Sequence, residues 1–245
     1  MPPEIFDFGV NKNTRYQFPD HNKATPDGLL AVGGDLSREC LLAAYSNGIF
    51  PWYSEGQPIL WWCPDPRPVF FPGKLKISRS LRKTLKQSHF IITIDKCFEE
   101  VIKECAKPRR NQKETWITQD MHDAYCDLHN IGYAHSVEVW GGDLLVGGLY
   151  GVALGRVFFG ESMFFKETNA SKIALIGLDW LLQKLNFSLI DCQIVSPHVM
   201  SLGAENISRS DFISQIKKSI AVSSFTDYWT LNVMAKDLLC TTKEN

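Results

Sequence analysis

The sequence predicts an α+β protein in two parts: a small N-terminal α/β domain over residues 1–66 and a larger C-terminal domain over residues 67–245 with a mixed sheet. Two observations lead to this prediction. Residues 18–72 are rich in glycine, proline and aromatic residues, which favours short elements and ordered loops. After about Arg67 the chain changes to longer segments with regular strand and helix periodicity. With 245 residues, 44% of them hydrophobic, the chain can bury a full core.

The order of elements narrows the fold class further. The N-terminal part carries a short helical pattern at residues 41–48. The C-terminal part predicts, in order, a strand at 89–95, helices at 96–106 and 119–132, successive strands within 135–165, a helix from Asn169 to Lys184 with Asn169 as N-cap, a strand at 188–195 and a helix from about residue 210. One strand, two helices, three antiparallel strands, a helix, a strand and a helix is the order of acetyltransferase-like (GNAT-type) N-acyltransferase folds. This analogy concerns the fold and does not establish function.

Composition and charge argue against several classes of protein. No apolar run approaches the ~20 residues that a membrane span needs, and the first residues lack the pattern of a secretory signal, so we expect a cytoplasmic protein without a membrane anchor. Seven cysteines without a C-x-x-C pair indicate reduced thiols rather than a disulfide framework. Because the formal net charge is -1, contact with nucleic acid would need a local basic patch.

Such a patch occurs at residues 73–87, which contain lysines and arginines but no acidic residue. A helix that begins near residues 78–80 would turn Leu81 and Leu85 toward the core. It would place four cations in one stripe: Arg79, Arg82, Lys83 and Lys86. A stripe of this kind can follow a phosphate backbone. A solvated helix face is the simpler alternative.

The predicted strand at 188–195 places Asp191 and Gln193 on one face, because side chains alternate along a strand. A carboxylate that can take or orient a proton, beside a carboxamide, suits attack of an amine on an ester. An ordinary half-exposed strand has the same pattern.

Glu161 shares a predicted strand face with Phe159, Met163 and Phe165, after a glycine-rich hairpin at 145–155. A carboxylate among aromatic residues must be paired or have a shifted pKa. Glycines within strands mark bulges or places where a ligand approaches the backbone. The alternative is a glutamate at the rim that pairs with a nearby Lys or Arg.

Two further clusters favour a structural interpretation. His122, Cys126 and His129 recur at helical spacing, but an amphipathic helix explains that spacing and no second cluster follows, so we expect no metal site. The aromatic residues between 52 and 62 are more often core than a platform for stacking a base.

Long motifs follow one another over nearly the whole chain: DGLLAVGGDLS at 27–37, AAYSNGIFPWY at 43–53, PILWWCPDPRPV at 58–69, ISRSLRK at 77–83, TWIT at 115–118, AHSVEVW at 134–140, LVGGLYGVALG at 145–155, GESMF at 160–164, NASKIAL at 169–175, LIDCQ at 189–193 and SLGA at 201–204. By these motifs the sequence resembles the leucyl/phenylalanyl-tRNA-protein transferase family.

The resemblance implies a GNAT-like catalytic domain that transfers Leu, Phe and, less well, Met from aminoacyl-tRNA (Leu-tRNA, Phe-tRNA) to proteins with N-terminal Lys or Arg. This transfer marks those proteins for degradation by the N-end rule. The resemblance also implies no cofactor, since acetyl-CoA is not used. The sequence agrees, because no Arg/Gln-x-x-Gly-x-Gly/Ala loop that could hold a pyrophosphate follows residue 165.

The resemblance also implies roles by motif position. The catalytic pair falls on Asp191 and Gln193, with Glu161 in the acceptor and aminoacyl site. The positions near the terminal adenosine fall on Trp52 and Trp116. The apolar pocket for the donor side chain is expected from Leu149, Phe158, Met163 and Leu175. The cations that hold the acceptor stem are Arg79, Arg82 and Lys83, with Lys86 on the same stripe.

Cys63 and Phe165 depart from the family pattern, where serine is common at both positions, and Phe165 is expected to alter the depth of the pocket. In one version of the chemistry, Gln193 is polarised by Asp191 and receives the acceptor amine. In another, the ribose hydroxyls of the tRNA carry the proton. Two other functions share these features: an acetyl-CoA-dependent N-acetyltransferase, and a tRNA-binding module without catalysis.

Overall fold

The computed structural model describes residues 6–8, 16–108, 117–221 and 229–239. The α-helices of this part are α1 (Arg38–Ser46), α2 (Arg79–Gln87), α3 (Phe98–Cys105), α4 (Gln119–Asn130), α5 (Ala170–Lys184), α6 (Pro197–Ser201) and α7 (Arg209–Ile220). The strands are β1 (Phe6–Phe8), β2 (Leu29–Gly33), β3 (Phe50–Pro51), β4 (Leu60–Trp62), β5 (Arg67–Phe70), β6 (Ile91–Ile94), β7 (Ala134–Gly141), β8 (Leu144–Leu154), β9 (Val157–Phe165), β10 (Leu189–Asp191), β11 (Glu205–Ile207) and β12 (Asn232–Met234). Short 3-10 helices lie at His21–Lys23 and Ala235–Leu239.

The strands form two sheets. The large sheet has eight strands in the order β11-β5-β10-β9-β8-β7-β6-β12. Its neighbouring strands run antiparallel except β9 and β10, which are parallel. In the small sheet, of order β1-β2-β4-β3, the pairs β2-β4 and β3-β4 are antiparallel and β1-β2 is parallel. The predicted α+β class with a mixed sheet is therefore confirmed.

Helices cover both faces of the large sheet. The apolar sides of α2 and α5 pack into one core with Val137 of β7 and Leu149 of β8. The other core contains the buried sides of α1, α3, α4 and α7. It also holds Phe50 and Trp61 of the small sheet, so the segments before and after residue 66 share one core. The helix ends follow from local chemistry, since Ser37, Ser78, Thr118 and Ser208 each cap a helix with a side-chain oxygen.

Two local expectations were wrong, and the first concerns β10. This strand ends at Asp191 instead of continuing to residue 195. The Asp191 carboxylate accepts the backbone N–H of Gln193 at 2.9 Å, and Gln193 adopts a left-handed conformation with φ 62. This side-chain contact competes with the sheet for the backbone and turns the chain away from it.

The second concerns the shared face of Glu161. The β8-β9 register shifts between Tyr150 and Gly151, so that these residues face Ser162 and Gly160 and leave Glu161 without a partner across the ladder. This is a β-bulge, as the glycines suggested, and the extra residue reverses the alternation of side chains beyond it. Phe159 consequently lies in the core beside α4, whereas Met163 packs against the core beside α5.

The prediction that Asn169 is the N-cap of the helix ending at Lys184 is confirmed in position. However, Asn169 has a left-handed backbone with φ 71, and its side chain makes no capping hydrogen bond. Instead, its amide donates to Thr84 of α2 at 3.3 Å. In the part of the chain that the structure describes, no helix has the length and apolar character required to cross a bilayer.

Candidate active site

A cavity opens in the large sheet where the parallel pairing of β9 with β10 stops, at Phe159 and Asp191. It has a volume of about 210 Å³. Its wall contains the four residues expected to form an apolar pocket: Leu149, Phe158, Met163 and Leu175. Glu161 and Asp191 also line it, so the cavity is apolar with two carboxyl groups in its wall. His198 and Val199 of α6 complete one side.

Glu161 is the polar centre of this site, and three side chains form hydrogen bonds with it. Gln193 Nε2 donates to Oε1 at 2.8 Å, and the Tyr45 hydroxyl donates to the same oxygen at 2.6 Å. The Tyr125 hydroxyl lies 3.0 Å from Oε2. The bulge directs the carboxyl group toward these partners, which come from α1, α4 and the segment after β10. Glu161 is thus held by three polar side chains of the interior, and the alternative of a rim glutamate paired with Lys or Arg was wrong.

The environment of Glu161 favours its neutral form. Burial raises its pKa to about 7, and the nearby charge of Asp191 adds to the shift, although the hydrogen bonds from Tyr45, Tyr125 and Gln193 oppose it. Burial also raises the pKa values of Tyr45 and Tyr125 well above the ordinary range. A carboxyl group that titrates near neutrality can exchange a proton with a substrate amine.

Asp191 and Arg67 form a buried bidentate ion pair. Arg67 Nε donates to Oδ1 at 2.7 Å and Nη2 donates to Oδ2 at 2.6 Å, with side-chain exposures of 1% and 0%. The guanidinium lies between the rings of Phe50 and Phe212, 4.8 and 4.5 Å from their centroids. Burial is the largest single influence and would lower the pKa of Arg67, but the charge and the hydrogen bonds of Asp191, with the nearby Cys63 and Glu161, together raise it.

Gln193 is positioned through its backbone. Because Asp191 accepts its N–H, the carboxamide projects toward Glu161 rather than toward Asp191. Asp191 therefore contacts Gln193 at the main chain. Asp191 and Gln193 are therefore in contact, as expected. They meet through the backbone of a turn and not as neighbours on one face of a strand.

The basic stripe forms as expected. Helix α2 begins at Arg79 with Ser78 as its N-cap, and Leu81 and Leu85 are buried. Its four cations, Arg79, Arg82, Lys83 and Lys86, are all exposed. The geometry fits a surface for a polyanion and also fits a solvated face.

Two of the remaining residues, Trp52 and Phe165, are not among the described residues that line the cavity. Trp52 is 41% exposed, and its carbonyl accepts the indole N–H of Trp62 at 2.7 Å. Trp116 lies outside the described residues. Phe165 is 65% exposed at the end of β9 and is not among the described residues lining the cavity, so the expectation that it sets the pocket's depth was wrong.

On α4, the Cys126 sulfur lies 3.9 Å from Nε2 of His122. His129 stacks on Phe98 and contacts the carbonyl of Ala134 at 2.8 Å. Within the described ranges, no group of three His, Cys, Asp or Glu side chains is arranged to hold a metal ion.

Sequence reasoning missed several residues that the structure brings to the site, chiefly Arg67, Tyr45 and Tyr125. Tyr45 and Tyr125 occupy ordinary core positions of amphipathic helices, which gives no hint of a polar contact. Arg67 did carry a signal: it is an arginine within the apolar segment 58–71, and such a residue requires a buried partner.

Comparison with known proteins agrees with the motifs. The leucyl/phenylalanyl-tRNA protein transferase family matches residues 69–217, and the N-terminal domain of that family matches residues 34–65. The leucyl/phenylalanyl-tRNA--protein transferase of Shewanella baltica (strain OS185) is 56% identical over 193 residues, which are 79% of this chain and 81% of the relative. That of Syntrophus aciditrophicus (strain SB) is 53% identical over 223 residues, 91% of this chain and 93% of the relative.

One solved structure, that of L-PGS from Bacillus licheniformis, aligns with 69% of this chain and 54% of its own, at 11% identity and a TM-score of 0.37.

Proposed function

Because the chain belongs to the leucyl/phenylalanyl-tRNA-protein transferase family, we propose that it moves Leu and Phe, and less well Met, from aminoacyl-tRNA to the N-terminal Lys or Arg of acceptor proteins. The reaction forms a peptide bond and marks the acceptor for N-end rule degradation. The observation that carries this proposal is the apolar cavity at whose polar edge Glu161, Gln193 and Asp191 meet.

The finer architecture is part of the same proposal. A GNAT-type catalytic domain from residue 67 is supported by β5, which starts the large sheet at Arg67, and by the cavity where β9 and β10 stop pairing. The small sheet belongs to the proposed N-terminal domain. A cytoplasmic location follows from the substrates, since aminoacyl-tRNA is a cytoplasmic compound. The chemistry needs no cofactor, because the donor ester is already activated.

The donor side chain enters the cavity in this proposal. Leu149, Phe158, Met163 and Leu175 offer it an apolar wall, which favours Leu, Phe and Met over charged side chains because a charge would lose its hydration there. With the donor side chain in the cavity, the ester of the aminoacyl-tRNA lies beside the polar edge, where the two carboxyl groups of the wall are.

The site then has to position two substrates, free the acceptor amine and stabilise the developing oxyanion. Gln193 Nε2 is held by Glu161, so its Oε1 can accept from the acceptor α-amine. Glu161 compensates the positive charge of that amine. Asp191, which is saturated by Arg67 and the backbone of Gln193, serves as a positioning group rather than as a base. The departing ribose oxygen takes up the proton that the nitrogen loses as the amide forms, and one hydrogen stays on the amide nitrogen.

Incubation with Phe-tRNA and a model protein that begins with Arg tests the proposal. We expect the product mass to rise by one phenylalanyl residue. Turnover of labelled acetyl-CoA without tRNA would instead identify an N-acetyltransferase. Salt-dependent tRNA binding with no change in product mass would identify a binding module.

The exposed cations of α2 supply the second test. The double variant Arg79→Ala/Lys83→Ala is expected to raise the KM for aminoacyl-tRNA, because two phosphate contacts are lost. The slope of log KM against log salt should fall by about 1 to 2, as counterion release predicts for two contacts. Lys217→Ala/Lys218→Ala removes the same charge from α7, where both lysines are also exposed, and serves as the control. Equal slopes for both variants would show that the α2 stripe is a solvated helix face and does not bind tRNA.

The cavity wall supplies the third test. Met163→Ala enlarges the cavity, so leucine leaves a void that phenylalanine can fill. We expect kcat/KM to shift toward Phe-tRNA over Leu-tRNA by about 5- to 10-fold, the range for a methylene or two in an apolar pocket. Met200→Ala is the control, because Met200 packs beside the same core but is not among the described residues that line the cavity. If the ratio of kcat/KM for Phe-tRNA to that for Leu-tRNA is unchanged in Met163→Ala, the donor side chain does not bind in this cavity.

A further inference from the structure

Three side chains beside the cavity, Tyr45, Tyr125 and Glu161, form a closed ring of contacts between their oxygen atoms. The hydroxyl oxygens of Tyr45 and Tyr125 are 2.5 Å apart. Each also contacts a different oxygen of Glu161, Tyr45 at 2.6 Å from Oε1 and Tyr125 at 3.0 Å from Oε2. All three distances are those of hydrogen bonds, and each such bond requires one hydrogen between its two oxygens.

The two tyrosines bring only two hydrogens to these three contacts. Both remain protonated, because burial raises their pKa values well above the ordinary range. If Glu161 were ionised, one pair of oxygens would face each other without a hydrogen, inside the protein where that repulsion is poorly screened. A proton on the Glu161 carboxyl group completes the ring: the acid donates to Tyr125, Tyr125 donates to Tyr45, and Tyr45 donates to the other carboxyl oxygen.

The charges around the site also indicate that Glu161 carries a proton. Asp191 is paired with Arg67 through both of its oxygens. Arg67 is thereby neutralised, and a second carboxylate at Glu161 would add an uncompensated negative charge to this buried cluster. The other polar groups facing Glu161 are Gln193 and Tyr150, and His198 lines the same cavity. A pKa of Glu161 raised to about 7, chiefly by burial, agrees with the hydrogen and charge counts.

We propose that Glu161 is a neutral carboxylic acid in the substrate-free site. When the acceptor's α-ammonium group binds beside it, the carboxylic acid and the ammonium group together release one proton to solvent. The identity of the acceptor rests on the proposed function, whereas the neutral acid rests on the geometry of the free site.

The proton balance of the reaction follows. On binding, the acid and the ammonium group together lose one proton to solvent and share those that remain. Transfer of one proton from nitrogen to Glu161 leaves a neutral amine and restores the acid. The amine nitrogen then forms a bond to the ester carbon, the ester C–O bond breaks, and the second amine proton passes to the departing ribose oxygen. Glu161 thus ends the cycle protonated and ready for the next acceptor.

The first measurement needs no substrate. Infrared spectra of protein labelled with ¹³C at the glutamate side-chain carboxyls should contain a protonated-carboxyl band at about pH 6 that disappears as the pH rises through about 7. The band should be absent from Glu161→Gln, whose amide can replace the acid because it also donates and accepts. Asp179→Asn is the matched control: Asp179 is another buried carboxyl group, with a pKa that burial raises to about 6, and it lies outside the ring. The glutamate band must survive in that variant. A wild-type protein without the band would overturn the proposal.

The second measurement counts protons. Calorimetry of an Arg-initiated peptide binding to the wild-type protein at about pH 6, in two buffers of different ionisation enthalpy, should give release of about one proton per peptide. Binding without proton release would overturn the proposal even if transfer activity is normal. If the peptide does not bind although the infrared band is present, the proposed acceptor fails and the neutral acid stands. If transfer proceeds but the band is missing, the proposed function stands and the inference on Glu161 fails.

Discussion

Replacing Arg67 with methionine is expected to lower the free energy of unfolding by about 3–5 kcal/mol, the usual cost of leaving one charge of a buried ion pair without its partner. Asp191 is completely buried and receives two hydrogen bonds from Arg67. Methionine has a similar length and keeps contact with the rings of Phe50 and Phe212, so the effect reports the lost charge and hydrogen bonds rather than lost volume. Urea denaturation at neutral pH measures it.

Two further variants separate the ion pair from its surroundings. Arg67→Met combined with Asp191→Leu removes both charges and should be less destabilised than Arg67→Met alone, since no unpaired charge remains. Arg209→Met is the matched control, because Arg209 is a partly buried arginine that donates to the carbonyl of Cys63 at 2.8 Å. It should cost only about 1 kcal/mol. Equal losses for Arg67→Met and Arg209→Met would contradict the importance assigned to the pair.

Gln193→Asn is expected to reduce kcat by about 100-fold or more, comparable to removing one well-placed polar group from a transition-state site. Asparagine adopts left-handed backbone readily, so the turn at φ 62 and its hydrogen bond to Asp191 should persist. Its side chain is one methylene shorter and loses both the contact to Glu161 and its reach toward the acceptor amine. Initial rates at saturating Phe-tRNA and acceptor measure the change.

The unfolding midpoint of Gln193→Asn should stay close to that of the wild-type protein, which would assign the loss to the chemistry rather than to folding. Gln215→Asn makes the same chemical change on α7 and should leave kcat unchanged. A Gln193→Asn protein with nearly normal kcat would exclude the carboxamide from amine capture and favour proton transfer through the ribose hydroxyls.

Features that depend on near neighbours in the chain could be predicted. Helix α2 is an example, because Ser78 caps it, Leu81 and Leu85 recur at helical spacing, and the cations between them have to face outward. Four of the apolar residues that line the cavity were also identified, although their selection depended on the family motifs and not on periodicity.

Departures from regular strand geometry could not be predicted. The extension of β10 to residue 195 failed, because the Asp191 side chain takes the backbone N–H of Gln193. The prediction that Glu161 shares a strand face with Met163 was wrong, because strand periodicity assumes an unbroken ladder. The bulge inserts one residue between Phe159 and Met163. Both deviations occur at the site, where the regular pattern gives way to an arrangement that directs polar groups into the cavity.

By itself the sequence determined the α+β class, the order of the main elements and the exposed basic helix, and its motifs singled out Glu161, Asp191 and Gln193 as candidate site residues. Only the tertiary structure decided how these residues are held. Arg67 binds Asp191 from 124 residues away in the sequence, and Tyr45 binds Glu161 from 116 residues away. The physical reason is the range of the forces involved. Periodicity and capping act within a few residues. A buried polar group, in contrast, must find its partner wherever the fold brings one within about 3 Å, whatever the distance along the chain.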